Sequence, residues 1–112
     1  MTRILHVDDS RPCRAMLRAR LERGPLKAEV VSAYSVRDAR EHIDSARAQG
    51  LVWSLVILDL NLGDGCGKEL LEELPNVRVV FVTADPDLAP AGYPVIAKGK
   101  GWISEIERML AK

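Results

Sequence analysis

The sequence carries no net charge, no long apolar run and almost no cysteine. Sixteen lysines and arginines balance sixteen aspartates and glutamates, so no overall field draws the chain towards nucleic acid or an anionic membrane. No window approaches the length of a membrane span. Met1-Thr2-Arg3 runs straight into a short apolar stretch, so neither a membrane helix nor a signal peptide is expected. The two cysteines, Cys13 and Cys66, are too few and too far apart for a CxxC metal site or a disulfide framework. These absences leave a reduced, cytoplasmic protein as the expectation.

What is present is ordinary in amount and particular in order. At 112 residues the chain is long enough to bury one core without staples, and residues 1–112 are expected to form one domain. The densest signal is Leu55-Val56-Ile57-Leu58-Asp59. Four consecutive branched apolar residues read as a strand buried on both faces of a sheet. The run stops at a carboxylate, and the following Leu60-Asn61-Leu62-Gly63-Asp64-Gly65 is loop chemistry.

The flanking segments repeat this unit. Ile4-Leu5-His6-Val7 reads as a first short strand stopped by Asp8-Asp9. Ser10 suits a helix N-cap and Pro12 a first turn, and Cys13, Met16, Leu17 and Leu21 recur at helical spacing up to Gly24-Pro25. Ala28 to Ala33 reads as a second strand, followed by a helix capped by Ser35 with Ala39, Ile43 and Ala46 inward and Gly50 at its end. A helix is expected through Glu69 to Leu74, stopped by Pro75-Asn76. Val77 to Val82 then forms a fourth strand ending at Thr83, and Pro94 to Ala97 a fifth ending at Lys98. Trp102, Ile103, Ile106, Met109 and Leu110 give a last amphipathic helix. Strands alternating with helices predict an α/β fold with helices on both faces of a parallel sheet. Right-handed crossovers favour the flavodoxin-like, doubly wound, five-stranded order 2-1-3-4-5.

In that fold Asp8-Asp9, Asp59, Thr83 and Lys98 all reach one carboxyl edge of the sheet, where open α/β proteins place their ligands. Three carboxylates close together repel one another unless a cation lies among them. A hard divalent ion such as Mg²⁺ answers this with carboxylates, a backbone carbonyl and waters as ligands. A lysine and a hydroxyl beside it complete a place able to hold a phosphoryl group, with Asp59 as nucleophile.

From Ile4 through the last helix, the chain resembles the receiver domain of two-component response regulators. The likeness rests on Asp8-Asp9-Ser10, Leu58-Asp59-Leu60-Asn61-Leu62, Thr83-Ala84 and Lys98. The resemblance implies that Asp59 is the phosphoacceptor and that Asp9 is a direct Mg²⁺ ligand, with Asp8 a ligand mainly through water. It also implies that Asn61 supplies a backbone carbonyl ligand, Thr83 the switch hydroxyl and Lys98 the phosphate-binding amine. The partners it implies are a histidine kinase or a histidine phosphotransfer protein, met by the arginine-rich first helix and the loop after Lys98. Nucleic acid and membrane are not expected as partners.

Three features depart from the family pattern. Only fifteen positions separate Thr83 from Lys98, and Pro86, Pro90 and Pro94 lie between them. Proline is costly inside a helix, so the fourth helix is expected to be absent or reduced to a turn. Val95 stands where the family has a switching aromatic, with Tyr93 nearby but out of register, and Gly99 replaces the proline that usually follows the lysine. The loop Gly99-Lys100-Gly101 is therefore expected to be more mobile, and coupling between a threonine and an aromatic is in doubt.

The resulting expectation is a stand-alone, single-domain response regulator that takes phosphate from a phosphohistidine onto Asp59 with Mg²⁺. It would signal by partner binding or phosphorelay and catalyse only its own phosphorylation and dephosphorylation, so it is not a turnover enzyme. The alternative is an interaction module of the same fold that acts without phosphorylation. A haloacid-dehalogenase-like phosphatase would need a second aspartate where Asn61 stands. A flavin protein would not place Asp8-Asp9 against a phosphate. His6 reads as a strand side chain, Cys13 as packed on the inner face of the first helix, and Cys66 as exposed in the loop after Asp59.

Overall fold

The computed structural model describes residues 2–111. Its five parallel strands are β1 (Arg3–Val7), β2 (Glu29–Ala33), β3 (Leu55–Leu58), β4 (Val79–Thr83) and β5 (Val95–Ala97). They form one sheet in the order β2-β1-β3-β4-β5, the doubly wound arrangement that the sequence predicts. Three α-helices connect or follow the strands: α1 (Arg11–Arg23), α2 (Val36–Ala48) and α3 (Trp102–Leu110). Two connections are wound as 3₁₀ turns, η1 (Gly67–Glu73) and η2 (Pro86–Leu88).

Strand alternation sorts the apolar residues into two cores. Leu5, Val7, Val56, Leu58, Val79 and Phe81 pack with Val36, Ala39 and Ile43 of α2 and with Leu70 and Leu74 on one face. On the other, Ile4, Val30, Leu55, Ile57, Val80 and Val82 meet Leu17 and Leu21 of α1 and Trp102, Ile103 and Ile106 of α3. β3 is buried at all four positions because both faces are covered. Of the pair Met16 and Leu17, Leu17 enters the core and Met16 is left half exposed.

Local chemistry sets the helix starts. The Ser10 hydroxyl accepts the Cys13 N–H at the head of α1, with Pro12 in the first turn, and the Ser35 hydroxyl accepts the Asp38 N–H of α2. Each interaction satisfies a backbone donor that has no partner within the helix.

The third connection is tighter than the α-helix that its leucine spacing suggests. Only seven residues separate Cys66 from Leu74, and the chain winds there as 3₁₀. In the fourth connection the prolines act as expected, and only the three-residue turn η2 remains. Beside the missing helix, the partly exposed Tyr93 ring meets Phe81 edge-on at 5.8 Å. Val95 on β5 is paired with Phe81 and stays partly exposed.

Candidate functional site

Strand register brings the site together. Val7 of β1 pairs with Leu58 of β3, so the next residues, Asp8 and Asp59, leave the sheet side by side. Their own N–H groups still belong to the sheet: Asp8 N–H donates to the Ala33 carbonyl and Asp59 N–H to the Val7 carbonyl, each at 3.0 Å. On the far side of Asp59, Thr83 pairs with Ala97, and Lys98 N–H donates to the Thr83 carbonyl at 2.8 Å.

Lys98 closes the constellation. Its Nζ lies 2.8 Å from Asp59 Oδ2, 3.0 Å from Asp8 Oδ1 and 2.9 Å from Asp8 Oδ2. Only the first two contacts have hydrogen-bond geometry. Asp8 Oδ1 also accepts the Ser10 N–H at 2.8 Å, while Asp59 Oδ1 accepts the N–H of Leu60 at 2.7 Å. Burial pushes the Asp8 carboxyl up, but His6, Lys98 and the Ser10 N–H outweigh it and hold the group below the ordinary carboxylate value. Burial likewise opposes the Lys98 charge, and the bonds from Asp59 and Asp8 overcome it, so its pKa is raised. The ammonium lies between two buried carboxylates and offsets part of their repulsion.

Asp8, Asp9 and Asp59 each offer a carboxylate oxygen within 4.8 Å of the others, Asp9 from an exposed position. Oxygens on opposite sides of a bound Mg²⁺ lie about 4.2 Å apart, so the span of this set suits such an ion. Two further observations suit a hard cation. Asp8 Oδ2 is buried and takes no hydrogen bond, and among the described residues no backbone N–H donates to the Asn61 carbonyl. The all-oxygen donor set therefore fits Mg²⁺ or a similar ion.

The remaining predicted residues sit at the rim. Thr83 is fully buried, and its hydroxyl oxygen accepts the Asp85 N–H at 3.1 Å, which leaves the hydroxyl proton free to donate. The Asn61 side chain donates to Asp85 Oδ2 at 3.3 Å and links the loops that follow β3 and β4.

Three supporting residues escape a reading of the sequence. Asp64 caps α2 from the loop after Asp59, with Oδ1 accepting the Val36 N–H at 2.9 Å and Oδ2 the Arg37 N–H at 3.1 Å. Gly67 passes so close to Asp59 that an added Cβ would stand 1.9 Å from the Asp59 carbonyl oxygen, so only glycine fits. His6 is a strand side chain as expected, but its ring lies beneath the site, with Nε2 3.6 Å from Asp8 Oδ2. The glycine-rich run Gly63-Asp64-Gly65-Cys66-Gly67 hints at close packing without saying where.

No family model matches this sequence, and no curated protein matches it. Solved structures do resemble it. A response regulator receiver domain protein (CheY-like) from Methanospirillum hungatei aligns over 99% of this chain and 92% of its own, at 23% identity and a TM-score of 0.77. The response regulator TrrA of Thermotoga maritima, in complex with Mg²⁺ and BeF, aligns over 99% and 98%, at 22% identity and a TM-score of 0.75. The phosphorylated cyanobacterial phytochrome response regulator RcpA aligns over 97% and 88%, at 22% identity and a TM-score of 0.73. With two aspartates at the end of β1, one at the end of β3 and a lysine after β5 added to this likeness, the chain has the fold of response regulator receiver domains.

Proposed function

We propose that the protein accepts a phosphoryl group on Asp59 from a phosphohistidine and works as a response regulator through partner binding or phosphorelay. The observation that carries this reading is the position of Lys98 Nζ, which bridges Asp59 and Asp8 beside an oxygen donor set able to hold Mg²⁺. Bound there by Asp59, Asp9, the Asn61 carbonyl and, through water, Asp8, Mg²⁺ would screen charge on the transferred oxygens.

The chain's own residues do the rest. An Asp59 carboxylate oxygen forms the new O–P bond as the P–N bond of the donor breaks; the bonding electron pair stays on the donor imidazole nitrogen, which takes a proton from solvent. Lys98 turns from the carboxylates towards the phosphoryl oxygens and carries its positive charge with it. Thr83 offers its free hydroxyl proton to one of those oxygens. The low exposure of Asp59 limits attack by bulk water. On this reading the protein catalyses only its own phosphorylation and dephosphorylation, and it is a phosphoacceptor rather than a turnover enzyme.

The donor protein would dock against α1 and the loop after Lys98. Half-exposed Met16 of α1 lines one cleft with Gly99, Lys100 and Ile103. Arg20 lines the same cleft and adds a charged rim to that apolar contact, while Arg14 and Arg18, tied back to the Asp8 and Val30 carbonyls, lie on the β2 side of α1 near Ser32.

Intact mass after incubation with Mg²⁺ and acetyl phosphate, beside an Asp59→Asn control, tests the reading. The expected result is one added phosphoryl group that needs Mg²⁺ and is missing in the variant. No gain from acetyl phosphate or from phosphohistidine proteins would overturn it and favour the phosphorylation-independent interaction module.

A further inference from the structure

Among the described residues, His6 is the one buried polar side chain that the proposed chemistry leaves unused. It lies on the α1–α3 face of β1, between the sheet and Trp102, with ring centroids 5.9 Å apart and planes inclined at 38°. The residue is 1% exposed, and neither ring nitrogen has a hydrogen-bond partner. A buried imidazole with no partner is costly in such surroundings. What faces it is equally unusual. Asp8 Oδ2 is buried and takes no hydrogen bond, and it stands 3.6 Å from His6 Nε2. A ring nitrogen without a hydrogen-bond partner and a carboxylate oxygen held only by the Lys98 charge thus face one another just beyond hydrogen-bond reach.

The two oxygens of Asp8 are treated differently by their neighbours. Oδ1 is fixed by the Ser10 N–H and by Lys98, whereas Oδ2 has only the Lys98 charge at 2.9 Å. If Lys98 follows a phosphoryl group on Asp59, Oδ2 loses that charge while remaining buried. A contraction of less than 1 Å in the 3.6 Å separation would give it the His6 Nε2–H instead.

We infer that His6 is a positioning residue for Asp8: its Nε2–H takes over Asp8 Oδ2 when Lys98 is drawn away and holds the carboxylate in the orientation that binds the cation. This rests on the reading of Asp59 as phosphoacceptor and of Asp8 as part of a Mg²⁺ site. A hydrogen bond from outside the coordination shell to a ligating carboxylate fixes its direction, and losing such a bond weakens metal binding. The imidazole also joins the site to Trp102, the first residue of α3, so a shift of the ring reaches the α1–α3 face through packing.

Two measurements on the full chain decide the matter. The first is made without metal: ¹⁵N imidazole spectra of the wild type and of Lys98→Met. The expected result is a proton on Nε2, protected from exchange, whose signal moves downfield in Lys98→Met as the contact shortens. A ring protonated on Nδ1 alone, or an Nε2–H unchanged by Lys98→Met, overturns the inference.

The second is a Mg²⁺ titration of wild type, His6→Gln and His6→Leu, followed by Trp102 emission in a Trp53→Phe background. His6→Leu, which fills similar volume without a donor, is expected to bind Mg²⁺ about tenfold more weakly. His6→Gln, which keeps an N–H, is expected to stay near wild type. Equal affinity in all three overturns the inference. If these differences are seen but Asp59 takes no phosphoryl group, the functional reading fails with the exchange between Lys98 and His6 on phosphorylation, and only the positioning of Asp8 for the cation by His6 stands. If the wild type binds no Mg²⁺, the functional reading fails and the metal-free spectra decide His6 alone.

Discussion

The Asp64 carboxylate accepts the backbone N–H of Val36 at 2.9 Å, so the loop that follows Asp59 is fastened to the first turn of α2. Its second oxygen takes the Arg37 N–H. These two bonds, Val36 first, hold the Asp64 carboxyl below its ordinary value. A group whose pKa is depressed on folding contributes stability above its unfolded pKa, about 3.9. That contribution is lost as the pH falls through the lower folded value. Thermal melts are expected to show Asp64→Ala less stable than wild type at neutral pH, with the difference shrinking below about pH 4. A gap that persists unchanged into strong acid would show that the carboxylate charge is not what holds the loop.

Removing Lys98 should reveal how far Asp8 and Asp59 depend on it. Its side chain is 18% exposed, while those of Asp8 and Asp59 are 1% and 8% exposed. Lys98→Met leaves two adjacent carboxylates without a cation, and a loss of about 3 kcal/mol in urea unfolding at neutral pH is expected. Mg²⁺ should restore more stability to the variant than it adds to wild type, because it replaces a missing charge rather than joining one. Equal stabilisation of both proteins by Mg²⁺ would count against Lys98 and the cation sharing one site.

Gly67→Ala is expected to destabilise the protein by about 2 kcal/mol or more, through forced movement of the backbone at Asp59. The new Cβ would meet the Asp59 carbonyl oxygen at 1.9 Å, and backbone cannot step aside as the end of a flexible side chain can. Denaturant unfolding measures the loss, and amide shifts of Asp59 and Leu60 locate it. Wild-type stability with unmoved shifts would show that the approach is looser than described.

The strand ends were legible from the chain because each is announced locally. The apolar run Leu55 to Leu58 stops at Asp59, Val79 to Val82 stops at Thr83, and the parallel register then lines up their tips without further information. The shortened fourth connection was equally plain, since three prolines exclude a helix whatever surrounds them. By contrast, the winding of η1 was hidden. Leu70, Leu71 and Leu74 fit helical spacing, and only the short span from Cys66 to Leu74 tightens the coil. Asp64 was hidden for another reason: its partners, Val36 and Arg37, lie far back in the sequence and come near only when α2 packs beside η1. His6 looked like any residue of a buried strand, because its meaning depends on the rotamer of Asp8 two positions on.

Tyr93 has a consequence for how such a protein can speak to its partners. Edge-on to Phe81, the ring packs on one side and is 38% exposed on the other, where a helix would otherwise lie. Where the fourth helix is missing, Leu88, Tyr93 and Val95 stand partly exposed beside β4 and β5, so a partner meeting this edge would touch side chains of the sheet and its turn directly instead of a helix.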